Sequence, residues 1–205
     1  MVTKALLFTA FIGHMICWVC DLLLIYAPGG KFRFEYMKDN EKMSKVFDGM
    51  PLKKPLASSL LGVPAMIMFF GGYLGLYEWM KQFSMTYAVI IIASELVCAI
   101  SGVAHHVFCG MVEWFYIRLG RTEEARNVVV EFFKETSVTM YICYLGQMIF
   151  AVTLFTAVVM GETSLPQWSC IFTIIPLYVV FMLLKAPGAG NLAGAVMFFS
   201  LFWLI

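Results

Sequence analysis

Six stretches of the chain stay apolar for about the 20 residues that a helix needs to cross a hydrocarbon core. They run roughly from Ala5 to Ala27, Leu56 to Met80, Met85 to Phe108, Thr136 to Met160, Leu165 to Leu184, and Ala189 to Ile205. The breaks between them carry helix-stopping residues: Pro28-Gly29-Gly30 after the first, Gly161 and Pro166 before the fifth, Ala186-Pro187-Gly188 before the sixth. The sixth stretch is short and ends the chain at membrane depth, as though a tail follows. Two polar connections, about 28–55 and 118–134, are long enough to have structure of their own. In the first, Tyr36, Met43, Phe47 and Met50 recur among lysines and acids. That spacing predicts either a short helix lying on the inner membrane surface or a solvated loop. In the second, Thr122 followed by Glu123 and Glu124 predicts an N-cap, and Ala125, Val128, Val129 and Phe132 an apolar stripe leading into the fourth span.

Composition narrows the class. The chain is 61% hydrophobic and 13% charged, with mean hydropathy +0.85, against about half and a quarter for soluble domains. A soluble enzyme, a disordered protein and a nucleic-acid binder are excluded, the last also by a net charge of only +1. The expected fold is all-α: one multi-pass domain over residues 1–205, built as a single bundle of six transmembrane helices. Cationic residues orient it, because cytoplasmic loops collect Lys and Arg. Lys31, Arg33, Lys38, Lys42, Lys45, Lys53, Lys54, Arg118, Arg121, Arg126, Lys134 and Lys185 fall on one side of a six-span arrangement, and only Lys4 and Lys81 on the other. Both termini are therefore expected outside, and the two long connections in the cytoplasm. No small-x-small cleavage site precedes Asp21, so the first stretch reads as a retained helix rather than a signal peptide. The expected address is the cell membrane. The two halves share no polar pattern, which argues against an inverted-repeat transporter.

Ionisable residues at membrane depth usually face a bundle interior or a wet cavity. The first span holds His14 and Asp21, two turns apart on one face. The third holds Glu95, His105, His106 and Glu113. Glu95, His106 and Glu113 share a stripe at whole helical turns, with Gly102 and Gly110 beside it. His14 and Glu95 both fall roughly 14 Å in from the outside, and Asp21 and the histidine pair fall near the inner leaflet. The first and third spans thus offer acid and base at two matching depths if they face each other. Glu135, Thr139 and Gln147 from the fourth span and Asn191 from the sixth would complete a polar cavity open to the cytoplasm. Glu113 has a second reading, as a solvated helix-end residue. Asp21 with the histidines has one too, as a plain tie between helices.

The cluster suits two chemistries. His, Asp and Glu could hold a divalent metal such as zinc, with Asp21, His105 and His106 as candidate ligands. Without metal, Asp21, His105, His106 and Glu95 could act as catalytic acid and base on a membrane-dissolved substrate. His14, Gly102, Glu113, Gln147 and Asn191 would then bind the ligand. Ser101-Gly-Val-Ala-His105 resembles the Ser-x-x-x-His spacing of alkaline ceramidase-like membrane hydrolases, but no histidine follows His106 to supply their late His-x-x-x-His. Cys17-Trp-Val-Cys20 and the other four cysteines all lie in predicted spans and read as small packing residues. The His14–Asp21 helix, the paired histidines and the closing Gly190-Asn191-Leu192 helix make the whole similar to bacterial six-helix membrane proteins of unknown function. That resemblance implies no reaction. The leading expectation is a protein that binds a small amphiphile or lipid and acts on it by acid–base or metal-assisted chemistry. The alternatives are a proton-coupled small-molecule transporter and a structural membrane subunit.

Overall fold

The structure is a computed structural model that describes residues 2–205. It is almost wholly helical. Helix α1 spans Val2–Ile25, and Pro28-Gly29 then turns a minimal hairpin, β1 Tyr26–Ala27 with β2 Gly30–Lys31. After a 3-10 turn at Phe34–Lys38 come α2 (Asn40–Val46), α3 (Lys53–Met80), α4 (Met85–Arg118), α5 (Glu123–Thr136) and α6 (Val138–Val159). A second 3-10 turn, Gln167–Phe172, leads into α7 (Ile174–Leu183) and α8 (Ala189–Leu204). Four segments are long and apolar enough to cross a membrane: α1, α3, α4, and the nearly continuous α5–α6. Helices α7 and α8 are apolar but shorter.

The fifth stretch is therefore not the single helix expected from Leu165 to Leu184. Ser169 and Thr173 turn their hydroxyls onto the carbonyls of Pro166 and Cys170, both at 2.7 Å, and Pro176 has no N–H for a helical bond. Local bonds replace the helical ladder, and the chain kinks at Thr173.

In space the helices follow the order α8–α1–α3–α4–α6, with the Gln167–Phe172 turn and α7 bridging α6 back to α8. Helix α1 lies along α3 and barely touches α4. The α1–α3 contact is close because glycines line it. A Cβ at Gly13 would stand 2.6 Å from the Ala65 carbonyl oxygen, and one at Gly75 would stand 3.1 Å from Leu6 Cβ. The main core centres on Tyr73, whose ring meets Phe150 at 4.8 Å and Phe198 at 5.0 Å, with Leu7, Leu76, Ile91 and Leu154 around it.

A second core closes one end of the bundle. Met37, Met43, Phe47 and Met50 from the first connection pack on Val112, Tyr116, Ala125 and Val129. A short helix, α2, forms in this connection, and its apolar face with Phe47 and Met50 covers the ends of α4 and α5, so the solvated loop does not describe it. Tyr116 is its hub, donating to Asn40 Oδ1 at 2.7 Å. Thr122 caps α5 as expected, its hydroxyl accepting from Ala125 N–H at 3.2 Å.

Candidate functional site

The ionisable residues fall into separate buried groups, because neighbouring positions on a helix point about 100° apart. The first group joins α1 to α8. Asn191 Nδ2 donates to Asp21 Oδ2 at 2.8 Å, and His14 Nδ1 lies 3.2 Å from Asn191 Oδ1. With the amide turned towards the carboxylate in this way, its oxygen accepts, so Nδ1 carries the imidazole proton. His14 Nε2 is then an acceptor, and it is buried with no partner. The ring is stacked 4.5 Å from Phe69 and 5.5 Å from Phe198. Gly194 leaves the room for it, since a Cβ there would come 2.5 Å from the ring. Trp18 Nε1 donates to the Pro187 carbonyl at 2.9 Å, and Gly188, at φ 65°, lets the chain turn tightly beside Asp21.

The second group links α1, α3 and α4. His106 Nε2 lies 3.1 Å from the Ser58 carbonyl oxygen and 3.4 Å from Ser58 Oγ, and that hydroxyl donates to the Cys20 carbonyl at 2.9 Å. The imidazole fills the space that Gly62 leaves open. Asp21 and His106 share no direct hydrogen bond; the Ser58 hydroxyl of α3 links His106 to the Cys20 carbonyl, next to Asp21 on α1. Ser58 gave no sequence signal, being one of two adjacent serines in an apolar helix.

His105 points the other way, with Nε2 3.4 Å from Cys109 Sγ and Nδ1 3.5 Å from Thr139 Oγ1 on α6. The trio Asp21, His105 and His106 therefore does not converge as metal ligands. Among the described residues no three His, Cys, Asp or Glu side chains do.

The third group is Glu95, Gln147 and Tyr73, from α4, α6 and α3. Glu95 is 0% exposed, and both its oxygens, Tyr73 Oη and Gln147 Nε2 lack hydrogen-bond partners. Glu95 makes no hydrogen bond to His14, whose ring meets that of Tyr73 edge-on at 6.4 Å. Glu113 is buried at 3% exposure with Oε2 unpartnered, which corrects the reading of a solvated end residue. Its neighbour along α4, Val112, belongs to the second core, and the Lys54 ammonium binds the Tyr26 carbonyl. Gly102 packs on Cys143 of α6, and Glu135 is exposed on α5.

Beside the second group, an apolar trough of about 380 Å³ runs between α3 and α4. Its walls are Val63, Met66, Ile67 and Phe70 against Leu96, Ala99, Ile100 and Val103. Each wall is an i, i+3, i+4, i+7 stripe, one helical face about 10 Å long. His106 is two turns on from Ala99 on the same face of α4, just past the Val63–Val103 end.

The chain belongs to DUF6796, a family of unknown function whose profile matches residues 1–205. No curated protein and no solved structure matches it.

Proposed function

We propose that this DUF6796 member is a six-pass protein of the cell membrane, with both termini outside, that takes a small amphiphile from the cytoplasmic leaflet. The amphiphile is a lipid or isoprenoid whose apolar part lies in the α3–α4 trough. Its polar end meets His106, Ser58 and Asp21, where acid–base chemistry can act on it. The observation that carries this reading is the trough itself, walled by two matched apolar stripes, with the buried His106 three residues on from its lining Val103 along α4. A hydrocarbon tail there would replace lipid contacts with fixed walls, and the head would come within reach of a proton donor and acceptor at one depth.

Thermal unfolding in detergent, with and without isoprenols, fatty acids or lysophospholipids, tests it. At least one class should raise the melting temperature of the wild type. Ala99→Phe, which fills the trough away from the polar groups, should abolish that shift. Asp21→Asn keeps the bond to Asn191 through its own amide oxygen but loses the charge. It should leave the unliganded melting temperature unchanged or higher and remove the ligand shift. A panel that never shifts the wild type, together with clear destabilisation by Asp21→Asn, would overturn the reading in favour of a helix tie.

One observation favours a second reading, a proton-coupled transporter: the unpartnered Glu95, Tyr73 and Gln147 groups carry polarity to mid-membrane depth, beyond the trough. Proton flux in reconstituted vesicles that depends on Glu95 and an added small solute would select it.

A further inference from the structure

Two of the six cysteines meet across the α4–α6 interface, where Cys98 and Cys143 have their sulfurs 3.6 Å apart, both as free thiols. Glycines force the approach. A Cβ at Gly146 would stand 2.5 Å from the Ser94 carbonyl oxygen and 2.9 Å from Cys98 N, and one at Gly102 would stand 3.2 Å from Cys143 Sγ. Disulfide formation requires the sulfurs to close from 3.6 Å to about 2 Å. A separate feature of the same place is Glu95, one turn before Cys98 on the same buried face. Neither of its oxygens has a hydrogen-bond partner, and the Cys98 thiol is directed to Gln147 Oε1 at 3.6 Å. A scaffold has no use for such a group, since an apolar residue of like volume would spare the cost of its unmet bonds. A thiol that must give up a proton in a water-poor interior does have a use for it.

We propose that Cys98 and Cys143 form a dithiol–disulfide couple inside the membrane, oxidised by a lipid-soluble quinone, with Glu95 relaying the Cys98 proton. Cys143 is half-buried and meets a bilayer-borne oxidant first, and the enclosed Cys98 closes the bond. Two S–H bonds break and one S–S bond forms. The two electrons and two protons pass to the quinone oxygens, giving one hydroquinone per disulfide. Cys17 and Cys20 stay outside this chemistry, packed three residues apart on α1. The couple does not depend on the amphiphile site, and its test leaves that site untouched.

The test uses the full chain in detergent, reduced, freed of reductant without air, and given a decyl-substituted benzoquinone. Of the six thiols, two should become unreactive to maleimide after denaturation. Peptide mapping should show a single Cys98–Cys143 link, with one hydroquinone formed per chain. Cys98→Ser and Cys143→Ser should each abolish the link, while Cys17→Ser should keep it. Glu95→Gln should slow it by roughly a hundredfold and flatten its pH profile, the scale of a lost general acid–base group. The proposal is overturned if quinone leaves all six thiols reactive, if it links other cysteines, or if Glu95→Gln matches the wild type in rate and pH profile. The deciding measurement is on the wild type, so a variant that fails to fold does not shield the proposal.

Discussion

Asn191 shows how one uncharged residue organises two ionisable ones. Its amide offers a donor to Asp21 and an acceptor to His14, and so fixes which imidazole nitrogen holds the proton. Asn191→Leu keeps roughly the volume but strands a carboxyl oxygen and an N–H where little water reaches. It should destabilise the protein by about 1–3 kcal/mol, the cost of buried groups left unsatisfied, read as lost resistance to thermal unfolding. His14→Phe should cost less, because the Phe69 and Phe198 stack survives and the unpartnered Nε2 is removed along with the lost bond. If His14→Phe proved the worse of the two, the stack rather than the amide bridge would be what holds α1 to α8.

At the scale of elements, association rests on backbone proximity. Between helices in lipid there is little hydrophobic gain, so small residues and van der Waals contact decide which faces meet. Gly13 is the sharpest case, since its missing Cβ would fall 2.6 Å from one backbone oxygen and 2.7 Å from Phe69 N, neither of which can rotate away. Gly13→Val should therefore push α1 off α3 and lower the melting temperature by an overpacking cost of about 1–3 kcal/mol. Gly71→Val should be nearly silent, because the nearest atom there is a flexible Leu6 methyl at 3.8 Å. Equal effects at the two positions would count against close packing as the determinant.

For the whole molecule, the distribution of charge and the second core point to the same end of the bundle. The hairpin, α2, α5 and most of the lysines and arginines gather where α1 and α4 end and α3 begins. If that end is cytoplasmic, a cysteine placed at the exposed Glu41 should react with a membrane-impermeant maleimide only after cells are opened. One at the exposed Gln82, between α3 and α4, should react in intact cells. Labelling of both from the same side would remove the six-pass arrangement and its depth assignments.

Several features were determined by sequence alone. The long apolar runs of α1, α3, α4 and α6, the Pro28-Gly29 stop and the Thr122 cap follow from local rules acting within a few residues. The stripe of Glu95, His106 and Glu113 is equally legible, because helical periodicity fixes direction around the helix's own axis. All three are buried. Tertiary structure alone decided what each stripe meets. His106 finds Ser58, His14 finds Asn191 and Cys98 finds Cys143, while Glu95 is enclosed with both oxygens unpartnered. In a soluble helix the apolar face names the core side. Here lipid-facing and core-facing sides are alike apolar, so the sequence carries no sign of which helix lies opposite. The kink at Thr173 was hidden for a related reason: apolarity shows that a segment tolerates lipid, but competition between Ser and Thr hydroxyls and the helical ladder is settled only once the chain around them is placed.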